Sequence, residues 1–234
     1  RRVRCRLCPH ECVIADGKRG RCRARENRGG TLVALTYARA ASVALDPVEK
    51  KPLYHFFPGR KILSIGGWGC NLRCAFCQNH GISQQEVETE EMLPREAVRL
   101  AQEQGSIGVA YTYNEPLIAW EYLRDCGRAV RAAGLKNVLV TNGFVNPGPL
   151  EELLPLVDAM NIDIKAFREG FYREICGGSL APVLATAQAA AKRCHVEVTT
   201  LLVPGHNDDP AELDALAAWV AEQCGRETPA HLSG

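Results

Sequence analysis

Short runs of β-branched and aliphatic residues alternate with longer segments of helical pattern through most of the chain after residue 60. Apolar runs of this length, bounded by glycine, proline and polar residues, predict buried strands. The strands predicted in this way are Lys61–Ile65, Ile107–Thr112, Asn137–Thr141, Ala159–Ile164, Val196–Val203 and a sixth at Pro229–Ser233.

The segments between these strands carry the signals of helix ends, which are proline in the first turn and glycine after the last. The signals predict helices from Pro94 to Gly105, from Pro116 to Gly134 and from Asn146-Pro147 onward. A last helix is predicted after Asp209, with Pro210 in its first turn and Glu212 at the acidic position of a capping box. Its apolar face would be formed by Leu213, Leu216, Ala217 and Val220.

Strands that alternate with helices predict an α/β fold with a parallel sheet and right-handed crossovers. The strands are too few for an eight-stranded barrel, so we expect an open, partial (β/α)6 barrel. In folds of this kind the ligand site lies at the carboxyl ends of the strands. Functional residues are therefore expected at that edge of the sheet.

The first 57 residues differ from the rest because cysteine and arginine are frequent and few apolar runs occur. A strand-like run at Thr31–Tyr37 and a polar segment at Asp46–Phe56 lie in this part. Pro58-Gly59 then predicts a turn into the second part. We predict an N-terminal cysteine-rich metal-binding region of residues 1–57 and a barrel of residues 58–234.

Composition narrows the functional classes. Among the 234 residues, 46% are hydrophobic and 24% charged, as in ordinary globular proteins, and the net charge of +1 gives no basis for binding nucleic acid. No apolar run is long enough to span a membrane, and no leader precedes the first strand. The eleven cysteines are best interpreted as reduced thiols and metal ligands of a cytoplasmic protein. A start at Arg1 rather than methionine suggests a trimmed or partial chain.

The loop after the first predicted strand contains a C-x3-C-x2-C run formed by Cys70, Cys74 and Cys77. Three thiolates this close together can hold one iron–sulfur cluster. They leave one iron of a four-iron cluster open, and an open metal position is typical of a site for chemistry. The alternatives are a zinc loop that takes a fourth ligand from elsewhere, and cysteines that are merely buried.

Polar residues follow each of the next strands at the same predicted edge of the sheet. Each of these short motifs alone is weak, since a Thr-Asn-Gly sequence is commonly a turn. In register with the strands they predict one polar rim around the cysteine loop. The motifs are Tyr111-Thr-Tyr-Asn-Glu-Pro116, Thr141-Asn142-Gly143, Asp163-Ile-Lys165 and Pro204-Gly205-His206-Asn207-Asp208.

The cysteine spacing, with Phe76 just before the last cysteine, resembles the signature of radical S-adenosylmethionine (SAM) enzymes. Within that superfamily the chain is similar to the activating enzymes of pyruvate formate-lyase. Three blocks are also similar to the radical SAM proteins of the "AmmeMemoRadiSam system", and this likeness covers nearly the whole chain. The blocks are Cys8-Pro-His-Glu-Cys12, Asp46-Pro-Val-Glu-Lys-Lys-Pro-Leu-Tyr-His-Phe56 and Gly69-Cys-Asn-Leu-Arg-Cys-Ala-Phe-Cys-Gln-Asn79.

The resemblance implies that Cys70, Cys74 and Cys77 bind a [4Fe–4S] cluster whose fourth iron is chelated by SAM. One electron from the cluster would cleave SAM and release a 5′-deoxyadenosyl radical that abstracts hydrogen from a substrate. It also implies further cofactor contacts, including Phe76 beside the last cysteine, Thr141 and Asn142 for the ribose or methionine, and His231 at the last strand end.

Asn114-Glu115 stands where relatives have a Gly-Gly-Glu stretch that receives the amino group of SAM. Here Tyr113 and Asn114 replace the glycines, while the carboxylate is kept. An acceptor-only carboxylate suits an ammonium, but Glu115 could also be an acid at the start of a helix. Lys165 could pair with the SAM carboxylate with Asp163 orienting it, or the two could form an ordinary ion pair at a strand end.

Cys5, Cys8, Cys12 and Cys22 offer four ligands, enough for a closed tetrahedral site. The spacing fits zinc or an auxiliary iron–sulfur cluster and does not separate the two. The remaining cysteines are interpreted as ordinary thiols, with Cys176 before Gly177-Gly178 the one that most needs structural placement.

The leading hypothesis is therefore a radical SAM oxidoreductase that abstracts hydrogen from an unidentified substrate, and one form of it is a modifier of a peptide or protein. Alternatives are an activase of a glycyl-radical enzyme and a non-catalytic metal-binding interaction module. The resemblance implies an electron donor such as flavodoxin or ferredoxin, and partners similar to Memo-like and AMMECR-like proteins. We expect neither nucleic acid nor a membrane among the partners.

Overall fold

The computed structural model describes all 234 residues and contains one large sheet, three two-stranded pairs and seven α-helices. The strands are β1 (Arg2–Arg4), β2 (Val13–Ala15), β3 (Arg25–Arg28), β4 (Thr31–Ala34), β5 (Arg39–Ala40), β6 (Ser42–Pro47), β7 (Lys61–Gly66), β8 (Glu90–Glu91), β9 (Gly108–Tyr111), β10 (Lys136–Thr141), β11 (Ala159–Asp163), β12 (His195–Leu201) and β13 (Ala230–Ser233).

The helices connect the strands of the large sheet. They are α1 (His80–Ser83), α2 (Pro94–Glu103), α3 (Trp120–Ala132), α4 (Pro147–Leu153), α5 (Glu169–Phe171), α6 (Leu180–Ala191) and α7 (Pro210–Gln223). Short 3-10 turns occur at Val48–Lys50, Pro116–Ala119 and Leu154–Leu156, and a π-helical turn at Tyr172–Cys176. No helix has the length and apolar content needed to cross a membrane.

The large sheet has seven strands in the order β6-β7-β9-β10-β11-β12-β13. All neighbours from β7 to β13 are parallel, and β6 joins the edge antiparallel to β7. The predicted α/β fold with a mainly parallel sheet is thus confirmed, and each predicted strand forms within two residues of its predicted ends. Parallel pairing brings the carboxyl ends of six strands to one edge.

The two faces of the sheet pack against different parts of the chain. Alternate residues such as Leu63, Leu139 and Met160 join the core beneath the helices. Their neighbours on the opposite face pack against the segment 48–57, through Val48, Leu53 and Phe56. This segment, predicted only as polar, therefore fills the face of the sheet that the helices leave open.

Two local features differ from the sequence analysis for tertiary reasons. The strand β6 was not predicted, because it takes its pairing from β7, which lies beyond an intervening loop. The capping box at α7 is wrong: Asp209 accepts a bond from the Ala211 N–H at 2.9 Å, but Glu212 does not close the box. Its carboxylate accepts from the Phe167 N–H at 2.7 Å, so a neighbouring loop takes this acid.

The N-terminal residues fold as the hairpins β1–β2 and β3–β4 and are connected to the helical part by polar contacts. Arg25, 4% exposed, makes a two-point ion pair with Glu121 of α3 at 2.5 and 2.7 Å. Asn146 donates to the Arg6 carbonyl at 2.8 Å. The segment 42–47 belongs to the large sheet through β6, while the division of the chain at residue 57 stays a prediction.

Candidate active site

A cleft of about 480 Å³ lies at the carboxyl ends of the parallel strands. Its volume falls in the range of roughly 300–1,000 Å³ found for small-molecule sites. The structure brings together in its wall every predicted catalytic and cofactor-contacting residue except His231. These residues are Cys70, Cys74, Phe76, Cys77, Asn114, Glu115, Thr141, Asn142, Asp163 and Lys165.

The loop that carries the three cysteines is held in place by Asn114. The Asn114 side chain accepts a bond from the Gly67 N–H at 2.9 Å and donates to the Gly69 carbonyl at 3.0 Å. Gly69 adopts φ +90°, and a Cβ there would lie 2.7 Å from the Cys22 carbonyl oxygen. A side chain at position 69 would therefore push the cysteine loop away from the N-terminal region.

Each cysteine sulfur of the loop has a distinct environment. The Cys70 sulfur lies 3.4 Å from the Leu72 N–H and 3.5 Å from the Asn142 amide, and the Cys77 sulfur lies 3.4 Å from the Ser83 hydroxyl. Burial raises the pKa of Cys70. A hydrogen bond with the buried Cys176 thiol lowers the pKa of Cys74. Cys176 thus supports a cleft residue without lining the cleft itself.

This donor set fits an iron–sulfur cluster with one open iron. Three cysteines on a single loop face one cleft, and no fourth cysteine lines its wall. Neighbouring positions of the wall offer carboxylate, amide and hydroxyl groups that could hold a small polar molecule on the remaining iron. A closed zinc site of four cysteines would need a fourth thiolate, and no other cysteine of the wall supplies one.

Glu115 lies at the back of the cleft and is 3% exposed. Its Oε1 accepts from the Thr141 hydroxyl at 2.6 Å and from the Leu117 N–H at 2.9 Å, and its Oε2 accepts from the Asn142 N–H at 2.8 Å. Burial raises the pKa of Glu115 to about 7, against the opposing effect of these bonds. The bond to Leu117 caps the 3-10 turn, so Glu115 is both a helix-start acid and a cleft residue.

Lys165 and Asp163 form an ion pair on the wall of the cleft, with 3.2 Å between Nζ and Oδ2. The ammonium also lies 5.9 Å from the centre of the Phe76 ring. Burial alone would lower the pKa of Lys165, but Asp163 and Cys74 raise it above its ordinary value. A cation is therefore fixed beside the cysteine loop, where it favours bound anionic groups.

The sequence did not single out several polar residues of the cleft. Asn161 and Thr199 are 2.8 Å apart on adjacent strands, and the Oδ1 of Asn161 is buried without a hydrogen-bond partner. An unpaired buried acceptor on a cleft wall indicates a site for a ligand donor. The available signal was the polar residues on the face opposite Met160 and Val198, which are Asn161 and Asp163 in β11 and His195, Glu197 and Thr199 in β12.

A buried charge network supports Tyr113, which lines the cleft beside Asn114. The Lys51 ammonium lies 2.7 Å from Oδ2 of Asp46 and 4.5 Å from the centre of the Tyr113 ring. The Tyr113 hydroxyl donates to the same Asp46 oxygen. This network connects the segment 48–57 to the cleft, and Lys50 and Pro52 of that segment reach the cleft wall.

His231 lies outside the cleft wall. Its Nε2 is 2.6 Å from Oε2 of Glu197, a buried residue of β12. The side chain therefore points along the sheet toward the segment 48–57 and contacts Tyr54, with 4.9 Å between ring centres.

The four N-terminal cysteines line one small cavity next to the cysteine loop. The pKa of Cys8 is raised to about 12, mainly by burial and to a smaller extent by the nearby Cys22, Cys5 and Cys12. A bound cation would reverse this tendency by favouring thiolates. His10, in the same cavity wall, bonds the Asn71 carbonyl at 2.8 Å, which places the cavity one residue from Cys70.

The family model of the radical SAM superfamily matches residues 65–217, which include the whole cysteine loop and most of the cleft. The chain belongs to the radical SAM superfamily. Members of this family are enzymes that bind a [4Fe–4S] cluster and SAM. The four N-terminal cysteines lie outside the matched residues.

Curated relatives point in the same direction. The chain is 44% identical to the uncharacterized protein MJ0808 of Methanocaldococcus jannaschii, over 99% of this chain and 70% of that protein. It is 31% identical to the pyruvate formate-lyase 1-activating enzyme of Escherichia coli, over 60% of this chain and 61% of the relative. It is 28% identical to the benzylsuccinate synthase activating enzyme of Thauera aromatica, over 77% of this chain and 57% of the relative. The matches thus span about three fifths of the activating enzymes.

Solved structures with the same fold include Streptococcus suis SuiB bound to S-adenosylmethionine, with a TM-score of 0.57 at 14% identity over 74% of this chain and 42% of that chain. A radical SAM methyltransferase from Sphaerobacter thermophilus matches with a TM-score of 0.54 at 17% identity, over 76% of this chain and 56% of that chain. At such identities the likeness concerns the fold alone.

Proposed function

We propose that this protein binds a [4Fe–4S] cluster through Cys70, Cys74 and Cys77 and uses SAM to abstract hydrogen from a peptide or protein substrate. The observation that carries the proposal is the convergence of these three cysteines with Glu115 and Lys165 on one cleft at the strand ends. We also propose that the open sheet curves as a partial (β/α)6 barrel around this cleft.

The bound cofactors would supply the radical chemistry, namely one-electron cleavage of SAM followed by hydrogen abstraction. The residues of the chain would bind and orient them. Asn114 fixes the cysteine loop through its two bonds to Gly67 and Gly69. Cys70, Cys74 and Cys77 would ligate three irons, which leaves the fourth to SAM.

Charged groups of the cleft match the amino-acid end of SAM. Glu115 would accept the ammonium at its remaining lone pairs, and that charge would favour the ionised carboxylate despite its burial. Lys165, oriented by Asp163, would pair with the SAM carboxylate. Thr141, Asn142 and Phe76 complete the wall and would exclude water. We do not extend this role to His231, because it contacts Glu197 outside the cleft.

A second form of the proposal is an activase that acts on a glycyl residue of a partner enzyme. The similarity to the two activating enzymes supports it. Either form requires an electron donor, for which flavodoxin or ferredoxin is suited. We further propose that the protein belongs to the AmmeMemoRadiSam type, with Memo-like and AMMECR-like partners. The Asp46–Phe56 block, which packs against the open face of the sheet, supports that assignment.

The N-terminal cysteines are proposed to hold a second metal, either zinc or an auxiliary iron–sulfur cluster. Their shared cavity and their number support a closed site. A metal there would stabilise the short hairpins, since metal binding and folding are coupled in small segments.

The proposal is tested by replacing Cys70, Cys74 and Cys77 singly with alanine and reconstituting each variant anaerobically with iron and sulfide. Each variant should lose the brown iron–sulfur absorbance of the catalytic site and bind fewer irons, because two thiolates do not hold a cubane stably. Cys224→Ala is the matched control, since Cys224 is a half-buried thiol that does not line the cleft. Equal iron content and absorbance in all four variants would overturn the proposal.

A further inference from the structure

A third group of potential metal ligands, besides the cysteine loop and the four N-terminal cysteines, lies where the segment 48–57 meets the last two strands. It consists of His55, Glu197 of β12 and His231 of β13. Each offers one ligand atom, and the three atoms lie within 4.8 Å of one another. None of the three residues lines the cleft, so they are distinct from the site described above.

The carboxylate of Glu197 is completely buried and is the centre of this group. The Tyr54 N–H donates to its Oε2 at 3.0 Å, and the His55 N–H donates to its Oε1 at 2.8 Å. His195 approaches the same Oε1 at 2.9 Å. These contacts fix the orientation of the carboxylate, as outer-shell bonds do for ligating carboxylates.

Two imidazole nitrogens converge on the other oxygen. His231 Nε2 lies 2.6 Å and His55 Nδ1 lies 3.4 Å from Oε2 of Glu197. In a tetrahedral zinc site the ligand atoms are about 3.3 Å apart, given metal–ligand bonds of about 2.0–2.2 Å. The 3.4 Å between His55 Nδ1 and Oε2 of Glu197 already fits this spacing. His231 Nε2 lies closer, at 2.6 Å, and would have to move away from Oε2 by much less than the length of one metal–ligand bond.

We propose that His55, Glu197 and His231 bind one divalent transition-metal ion, with Zn²⁺ as the best match. Two imidazoles and one carboxylate are ligands that suit zinc. The side chain of His55 is 62% exposed, so the fourth position faces solvent and would take water. The site is therefore a three-ligand site with one open position.

Such an ion would tie the segment 48–57 to the edge of the sheet. His55 belongs to the segment whose Lys50 and Pro52 reach the cleft wall, and His231 lies two residues before Ser233, which also lines the cleft. The ion would thus link two parts of the cleft wall, the segment 48–57 and the end of β13, from a position outside the cleft.

Zinc binding by the anaerobically reconstituted protein, measured by isothermal titration calorimetry, tests the site. Wild type should bind one more Zn²⁺ per chain than His55→Ala does, or should bind that ion more than about a hundredfold more tightly. The reason is that loss of a direct ligand should weaken metal affinity more than loss of an outer-shell contact, which costs about 10–100-fold. His206→Ala is the control, since His206 is an exposed histidine of another loop. The control should match wild type.

Cobalt substitution gives a second readout that does not depend on activity. The difference spectrum between Co²⁺-loaded wild type and His55→Ala should show the weak visible bands of nitrogen and oxygen ligation without a sulfur-to-cobalt charge-transfer band. The proposal is overturned if wild type and His55→Ala bind the same number of Zn²⁺ ions with equal affinity. It is overturned equally if the difference spectrum contains the sulfur band.

Discussion

Replacing Glu115 with glutamine distinguishes two roles of this residue, which are binding of the cofactor by its carboxylate and capping of the 3-10 turn alone. If Glu115 receives the SAM ammonium, Glu115→Gln removes a charge-assisted bond of about 1.5–3 kcal/mol. SAM affinity should then fall about ten- to a hundredfold. Glu115→Ala should bind still more weakly, since glutamine keeps one carbonyl acceptor.

The structure also predicts a cost in stability for this variant. Both Glu115 oxygens accept backbone N–H groups, one from Leu117 and one from Asn142. Whichever way the glutamine amide turns, its NH2 group faces one of these donors, and that donor loses its partner. A buried donor without a partner costs about 1–3 kcal/mol, so the melting temperature should fall as well.

Glu96→Ala is the matched control for that second effect. Glu96 accepts the Leu93 N–H at 2.9 Å at the start of α2 and does not line the cleft. It should lower the melting temperature and leave SAM affinity unchanged. The assay is an anaerobic SAM titration of the cluster-loaded proteins, with the melting temperature of each variant measured in parallel. Unchanged SAM affinity in Glu115→Ala would refute the binding role.

The raised pKa of Glu115 adds a pH dependence to the same experiment. Because burial raises this pKa from 4.5 to about 7, the folded apo protein holds the proton more tightly than the unfolded chain. The stability contributed by Glu115 is therefore present below about pH 4.5 and is lost as pH rises through about 7. SAM affinity should increase over that interval in wild type, because the ammonium requires the ionised carboxylate, and should not do so in Glu115→Gln.

Three further predictions concern the support of the cleft and the N-terminal region. Lys51→Met should destabilise the fold by about 3–5 kcal/mol in urea unfolding, because the Lys51 side chain is 1% exposed and its loss leaves the buried Asp46 carboxylate without this partner. Lys50→Met is the control and should cost only about 0–1 kcal/mol, because the Lys50 side chain is 60% exposed. Equal costs for the two variants would contradict the buried network. Burial tends to raise the pKa of Asp46, but hydrogen bonds from Lys51 and Tyr113 lower it below its ordinary value. The stability that the Asp46 carboxylate contributes is therefore present above about pH 4 and should be lost as the pH falls through the lowered pKa. Asp46→Asn should not show this loss of stability in acid. Cys8→Ala should lower the melting temperature and remove one equivalent of zinc, or the iron of one cluster, while some SAM cleavage remains; metal content equal to wild type would exclude the second site.

The sequence predicted the parts of the fold that depend on local periodicity. The six parallel strands carry apolar runs between proline and glycine signals, and each forms as a strand. β6 and α6 were not predicted, for different reasons. β6 takes its pairing from a distant strand, and α6 is alanine-rich, so its weak amphipathic pattern gives little signal. Glu212 was misassigned because a loop distant in sequence binds it.

The parts of the site that depend on residue type and spacing, namely the cysteine loop and the polar strand ends, could be predicted from the sequence. The contact partners within the site depend on tertiary packing. Asn114 was expected near the cofactor. Its bonds to the Gly67 N–H and the Gly69 carbonyl were not predictable, because they depend on the packing of the loop after β9 against the cysteine loop. His231 occupies the predicted strand end, yet its partner Glu197 lies on the adjacent strand and draws it away from the cleft.

The yield of 5′-deoxyadenosine from SAM under dithionite, measured by mass spectrometry on anaerobically reconstituted protein, tests directly whether the cysteine loop supports SAM cleavage. Wild type should form this product, and the triple variant Cys70→Ala, Cys74→Ala, Cys77→Ala should form none above the protein-free background. Product formation by the triple variant at the wild-type rate would show that these cysteines do not hold the catalytic cluster.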